Sequence, residues 1–69
     1  MIEHVRNKVE LHRTRVGITQ EELAREVGVS RQTIIAIERG NYSPSVLLAL
    51  KIARYFRTPL EDIFRIAHE

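Results

Sequence analysis

The chain has 69 residues, 43% of them hydrophobic, with eleven Lys and Arg against nine Asp and Glu for a net charge of +2 and no cysteine. The cysteine count excludes a disulfide staple and a thiolate zinc site, so apolar burial alone has to hold the fold. The longest apolar run, Val46 to Leu50, falls far short of the ~20 residues needed to span a bilayer.

Gly17, Gly28, Gly40, Pro44 and Pro59 punctuate the chain. Between them apolar residues recur at helical spacing, and no alternation is long enough for a strand. The pattern predicts an all-α fold of five short helices. The opening Met1-Ile2-Glu3-His4-Val5-Arg6 has no apolar h-region, so no secretory signal is expected and the cytoplasm is the expected location. The first helix is predicted over Ile2 to Arg15, with Val5, Val9 and His12 on one stripe and Gly17 as its stop. Thr19 then opens the second helix, and Glu22 completes a Thr-x-x-Glu capping box. Leu23, Ala24 and Val27 form its inner face, and Gly28 ends it because glycine takes φ > 0 without steric cost. Ser30 caps the third helix, which runs to Arg39 with Ile34 and Ile37 inward and ends at Gly40. Asn41-Tyr42-Ser43 is a turn, and Pro44 sits in the first turn of a fourth helix reaching Tyr55 or Phe56. Arg57 stands where a C′ glycine is common, and a left-handed conformation there costs about 1 kcal/mol. Thr58-Pro59-Leu60-Glu61 reads as a second capping box, opening a short fifth helix through Phe64 with a fraying tail behind it. One domain over 1–69 is expected, with a stability of about 3–10 kcal/mol.

The segment from Gln20 to Arg39 carries the functional reading. Ala24 is small enough for the third helix to cross close over the second. Gly28 turns the chain, and Leu23, Val27, Val29, Ile34 and Ile37 face a shared interior. Two helices so joined form a helix-turn-helix. An αα-hairpin that only packs a core explains the apolar positions equally well, so the outer face of the third helix has to decide. At 100° per residue Arg31, Gln32, Ile35, Ala36 and Arg39 fall on one arc opposite Ile34 and Ile37. Arg bonds guanine bidentately, Gln bonds adenine, and small apolar groups meet the thymine methyl. Nine of the eleven cations are Arg, whose planar fork suits phosphates and guanine edges. Double-stranded DNA is therefore the expected partner, with Arg31, Gln32, Ile35 and Ala36 reading bases. The sequence holds no nucleophile–base pairing, no paired carboxylates at a pocket and no phosphate-cradling glycine loop, so no enzymatic activity is expected. His4, His12 and His68 lack metal-site spacing, and His12 reads as a partly buried neutral imidazole. No cofactor, metal, membrane or small-molecule ligand is expected.

Thr19-Gln20-Glu21-Glu22-Leu23-Ala24, Val27-Gly28-Val29-Ser30-Arg31-Gln32-Thr33-Ile34 and Ile37-Glu38-Arg39-Gly40 together resemble the XRE family, the domain of phage Cro and lambda-type repressors. The likeness continues through Pro44-Ser45, Ala49-Leu50-Lys51-Ile52-Ala53 and Glu61-Asp62-Ile63-Phe64, covering about Asn7 to Phe64. It implies a compact five-helix lambda-repressor-like domain, dimeric binding to a palindromic operator, and transcriptional regulation, with repression as the expected output. Carried over by residue, it implies phosphate contact by Gln20, Thr33, Arg39 and the turn Asn41-Tyr42-Ser43. It also implies a structural bridge from Arg13 to Glu38, beside the structural positions Ala24 and Gly28. Ile35 departs from the small polar residue usual in the family, and His12 from the usual Leu. The same fold also serves as a protein-interaction module, as in antitoxins or coactivators, and that is the alternative function.

The fourth helix carries more apolar residues than one buried face needs. Val46, Ala49, Ile52, Ala53 and Phe56 account for a core stripe, leaving Leu47, Leu48, Leu50 and Tyr55 over. Either the fifth helix and the segment Phe64-Arg65-Ile66 fold over them, or residues 45–69 form a two-fold homodimer surface. In the second case Leu48, Tyr55, Ile63, Phe64 and Ile66 are the expected interface, with recognition helices about 34–36 Å apart.

Overall fold

Side-chain oxygens just ahead of three of the helices and left-handed residues just behind them set where those helices begin and end. The computed structural model describes residues 2–68, in the order β1 (Glu3–Asn7), α1 (Val9–Val16), α2 (Gln20–Val27), α3 (Arg31–Glu38), α4 (Val46–Tyr55), α5 (Leu60–Ile63) and β2 (Phe64–His68). The first amides of a helix lack intrahelical acceptors. Asn7 Oδ1 takes the Val9 N–H at 3.1 Å. Thr19 Oγ1 accepts the Glu22 N–H at 3.0 Å, while the Glu22 carboxylate accepts the Thr19 N–H at 2.8 Å. That capping box holds the Glu22 carboxyl below the ordinary glutamate range, the bond from the Thr19 backbone being the largest cause. Ser30 and Ser45 cap α3 and α4 in the same way.

At the other end of α2, Gly28 takes φ 77° and the Val29 N–H returns to the Ala24 carbonyl at 2.9 Å. α4 closes with the same bond pattern, Thr58 N–H to the Ala53 carbonyl at 3.1 Å. Its left-handed residue is Arg57 at φ 53°, the one non-glycine residue with positive φ among those described.

The five helices meet in one core. Val9, Leu23, Ile34, Ile37, Ile52 and Ile63 are fully buried, with Ala24, Val27, Leu48 and Ala53 around them. Side chains of this size stabilise by roughly 1.5–3 kcal/mol each on burial. His12 is half-buried against Phe56, with ring centroids 5.6 Å apart. No helix among the described residues is long and apolar enough to cross a membrane.

The structure corrects the sequence reading at four places. The chain is not strictly all-α, because β1 and β2 pair antiparallel from Glu3↔His68 to Asn7↔Phe64. Consequently α1 begins at Val9 rather than Ile2, and the expected fraying tail is β2. Val5 leaves the predicted helical stripe for the ribbon, where it is exposed. The second capping box does not form: α5 has Pro59 at its N-cap and no side-chain cap, because the Thr58 hydroxyl donates to the Phe56 carbonyl at 2.9 Å. The apolar phase of α4 is also rotated. With Ser45 as N-cap rather than Pro44 in the first turn, Leu48, Ala49, Ile52 and Ala53 face inward and Val46 faces out. Leu48 and Ile63, expected at a dimer interface, are core residues at 7% and 0% exposure and are not available to a partner. Tyr55 and Phe64 are half-buried against the same core, which leaves Ile66 as the openly exposed member of that set.

Replacing Arg57 with Gly relieves the left-handed backbone and is expected to stabilise the fold by about 1 kcal/mol, raising Tm by roughly 4–8 °C. A thermal melt showing a clear drop contradicts the assignment.

Candidate nucleic-acid interface

The turn Gly28-Val29-Ser30 joins α2 to α3, and Ala24, 2% exposed, lies inside their contact. Gly28 is needed for its conformation rather than for space, since nothing lies within 4 Å of where its Cβ would be. With Ile34 and Ile37 buried, the opposite side of α3 faces solvent. Arg31, Gln32 and Arg39 are exposed there. The first turn of α3 carries no acidic residue, so the positive end of the helix dipole beside Arg31 is unopposed. Ile35 and Ala36 lie on this arc but are half-buried, so only part of their apolar surface can meet a ligand. Asn41, Tyr42 and Ser43 follow as an exposed turn. Thr33 is half-buried, and its hydroxyl shares a 3.0 Å hydrogen bond with Ser30 Oγ.

A nearly buried polar network fixes the far end of α3. Arg13 Nε donates to Glu38 Oε2 at 2.7 Å and its Nη2 donates to Oε1 at 3.2 Å, with the two side chains 12% and 5% exposed. The remaining Arg13 amino group donates to the Ile18 carbonyl at 2.9 Å. The hydrogen bond to Glu38 is the main reason the Arg13 pKa is raised above its ordinary value. Gln20 Nε2 donates to Glu38 Oε1 at 3.0 Å. One carboxylate thus holds α1, α2 and α3 together. A carboxamide nitrogen has two hydrogens, so Glu38 orients Gln20 at the start of α2 and leaves it a second donor.

Two contributors escaped the sequence reading. Asn7 donates from Nδ2 to the Ile37 carbonyl at 2.8 Å while its Oδ1 accepts the Val9 N–H, the first amide of α1. It therefore ties the N-terminus of α1 to the last turn of α3. An Asn whose oxygen accepts the amide two residues on makes an Asx turn, a signal that a helix predicted from Ile2 conceals. Lys51 is the other. It lines a shallow cleft of about 290 Å³ with Thr33, Tyr42 and Ser45, beside the expected phosphate-contacting turn.

Residues 9–63 match the family model described as helix-turn-helix. The chain is 55% identical over 60 residues to an HTH-type transcriptional regulator of Methanocaldococcus jannaschii, covering 87% of this chain and 91% of that one. It is 51% identical over 65 residues to the HTH-type transcriptional regulator YgzD of Bacillus subtilis, covering 94% and 98%. Among solved structures, the restriction-modification controller protein C.AhdI of Aeromonas hydrophila superposes with a TM-score of 0.74 at 29% identity, covering 80% of this chain and 83% of that one.

Substituting Glu38 with Ala strands a guanidinium that is nearly out of water. The expected loss is on the order of 3 kcal/mol. Gln20→Ala removes a single hydrogen bond and costs about 1 kcal/mol. Equal denaturation midpoints for Glu38→Ala and the unaltered protein contradict this account of the network.

Proposed function

Because the chain belongs to the XRE-type helix-turn-helix family of DNA-binding transcription regulators, we propose that it is a sequence-specific repressor that seats α3 in the major groove as a homodimer on a palindromic operator. Residues 1–69 act as one DNA-binding domain in this reading. The observation that carries it is the exposed pair Arg31 and Gln32 at the first turn of a helix whose other end is anchored by Glu38. Arg31 matches the O6 and N7 acceptors of guanine, and Gln32 matches the N7 and N6 of adenine. The partly exposed edges of Ile35 and Ala36 meet a thymine methyl. Arg39, Thr33 and the turn Asn41-Tyr42-Ser43 hold the phosphates, joined by the second Gln20 hydrogen and the N-terminus of α2. A domain seated this way represses by occupying the groove that another protein would need.

Arg31→Ala and Gln32→Ala are each expected to cost about 1–3 kcal/mol on the best-bound duplex and to relax preference at one base position. Arg39→Ala is expected to weaken all duplexes alike and to reduce the salt slope by about 1. Binding titrations in which Arg31→Ala and Gln32→Ala also weaken every duplex uniformly contradict base reading by α3.

A further inference from the structure

α4 carries leucines that neither the core nor the outward arc of α3 uses. Leu48 is buried and Tyr55 half-buried, but Leu47 and Leu50 remain 64% and 50% exposed. With Lys51 and Arg54 they stand at i, i+3, i+4 and i+7, which puts all four on one side of the helix. Those four side chains line a shallow groove of about 400 Å³. Single surface leucines are ordinary, whereas apolar side chains sharing one groove mark a contact site.

The charge around this groove is one-sided. Between Glu38 and Glu61 the chain has no Asp or Glu, while it has Arg39, Lys51, Arg54 and Arg57. Lys51 and Arg54 also line the adjoining cleft at the end of α2, together with Arg25, Glu26 and Tyr55. Glu26 is the one carboxylate lining either depression. Arg25 already has the charge of Glu22 nearby. Lys51 and Arg54 do not: among the described residues no carboxylate pairs with either of them.

We propose that this side of α4 docks an acidic amphipathic helix of a partner protein, its apolar side chains entering the groove and its carboxylates meeting Lys51 and Arg54. The contact lies on α4 and does not rest on base reading by α3. Charge and apolarity together select the occupant. In an isologous contact a surface patch meets its own copy, so a second chain sets Lys51 and Arg54 against the same two cations. The DNA backbone satisfies the cations but offers the leucines charged phosphates in place of apolar surface. A helix with large apolar residues three and four apart and acids beside them satisfies both. Leu47 to Arg54 spans about 10 Å along the axis at 1.5 Å per residue, so two or three turns of the partner cover the groove. A contact of that size is weak, and its exposed charge pairs make it salt-sensitive.

Selection from a displayed library of helical peptides against the full chain, followed by titration of the enriched peptide, tests the proposal. The enriched sequences are expected to repeat a large apolar residue every three or four positions with Asp or Glu alongside. Leu50→Asp and Arg54→Glu are each expected to raise the peptide's dissociation constant at least ~10-fold. Both side chains are exposed, so an unchanged circular dichroism spectrum is expected with either variant. Val46→Asp, outside the groove, is expected to bind as the unaltered protein does. Replacing the peptide's acids with Arg is expected to abolish binding to the unaltered protein and to recover binding to Arg54→Glu. An absence of enrichment, enriched peptides without acids, or a peptide that binds Leu50→Asp and Arg54→Glu as tightly as the unaltered protein overturns the proposal. A duplex-binding salt slope reduced by Arg54→Glu also overturns it, assigning the cation to a DNA phosphate. So does a dimer that only Leu50→Asp dissociates on sedimentation, which assigns the face to a second copy.

Discussion

The recognition helix keeps its place through Glu38, a carboxylate that is 5% exposed and bonded by Arg13 from α1 and Gln20 from α2. A charge taken this far out of water is tolerable only when its lone pairs are used. Here two guanidinium N–H groups and one amide N–H use them. The third Arg13 contact, to the Ile18 carbonyl, closes the loop ahead of α2 with the same side chain. Three helices with little surface to bury thereby gain a geometric constraint that apolar packing alone does not supply, because hydrophobic contact is non-directional. The direction in which α3 points its exposed face follows from this network.

The remaining constraints act at the ends of elements. Thr19, Ser30 and Ser45 fix where α2, α3 and α4 begin, and a left-handed residue closes α2 at Gly28 and α4 at Arg57. Asn7 works at both ends at once, accepting the first amide of α1 and bonding the last turn of α3. Through the Lys8 N–H to Ile63 carbonyl bond of 2.8 Å, the same junction reaches α5. The ribbon, the first helix and α3 therefore meet within three consecutive residues.

Local chemistry was legible in the sequence, and of the distant pairings the Arg13–Glu38 bridge was legible through the family resemblance while the ribbon was not. The Thr19–Glu22 box, the Gly28 turn and the inward set Leu23, Val27, Ile34 and Ile37 each depend on residues a few positions apart, and periodicity exposes them. The β1–β2 pairing joins residues such as Val5 and Ile66 from opposite ends of the chain. Glu3–Asn7 carries one large apolar residue and Phe64–His68 alternates only over its first three, so no period-two pattern stands out. The α4 phase was misread for a related reason. Five apolar residues in a row, Val46 to Leu50, fit several stripes equally well, and only packing against α2 and α5 selects the one through Leu48 and Ile52. Thr58 was placed as a cap by its spacing to Glu61, while its hydroxyl had a nearer acceptor in the Phe56 carbonyl. Within the interface, helical angle identified the arc of α3, but the partial burial of Ile35 and Ala36 depends on neighbours from other elements.

The central claim is that the outward face of α3 reads bases, and selection of binding sites from a random duplex library tests it most directly. Scoring at about 150 mM salt suppresses binding that rests on phosphate contacts alone. The account predicts an enriched inverted repeat with guanine and adenine at the positions facing Arg31 and Gln32, its half-sites one helical turn apart. A folded protein that enriches no sequence contradicts it, and assigns the exposed face of α3 to a protein partner instead.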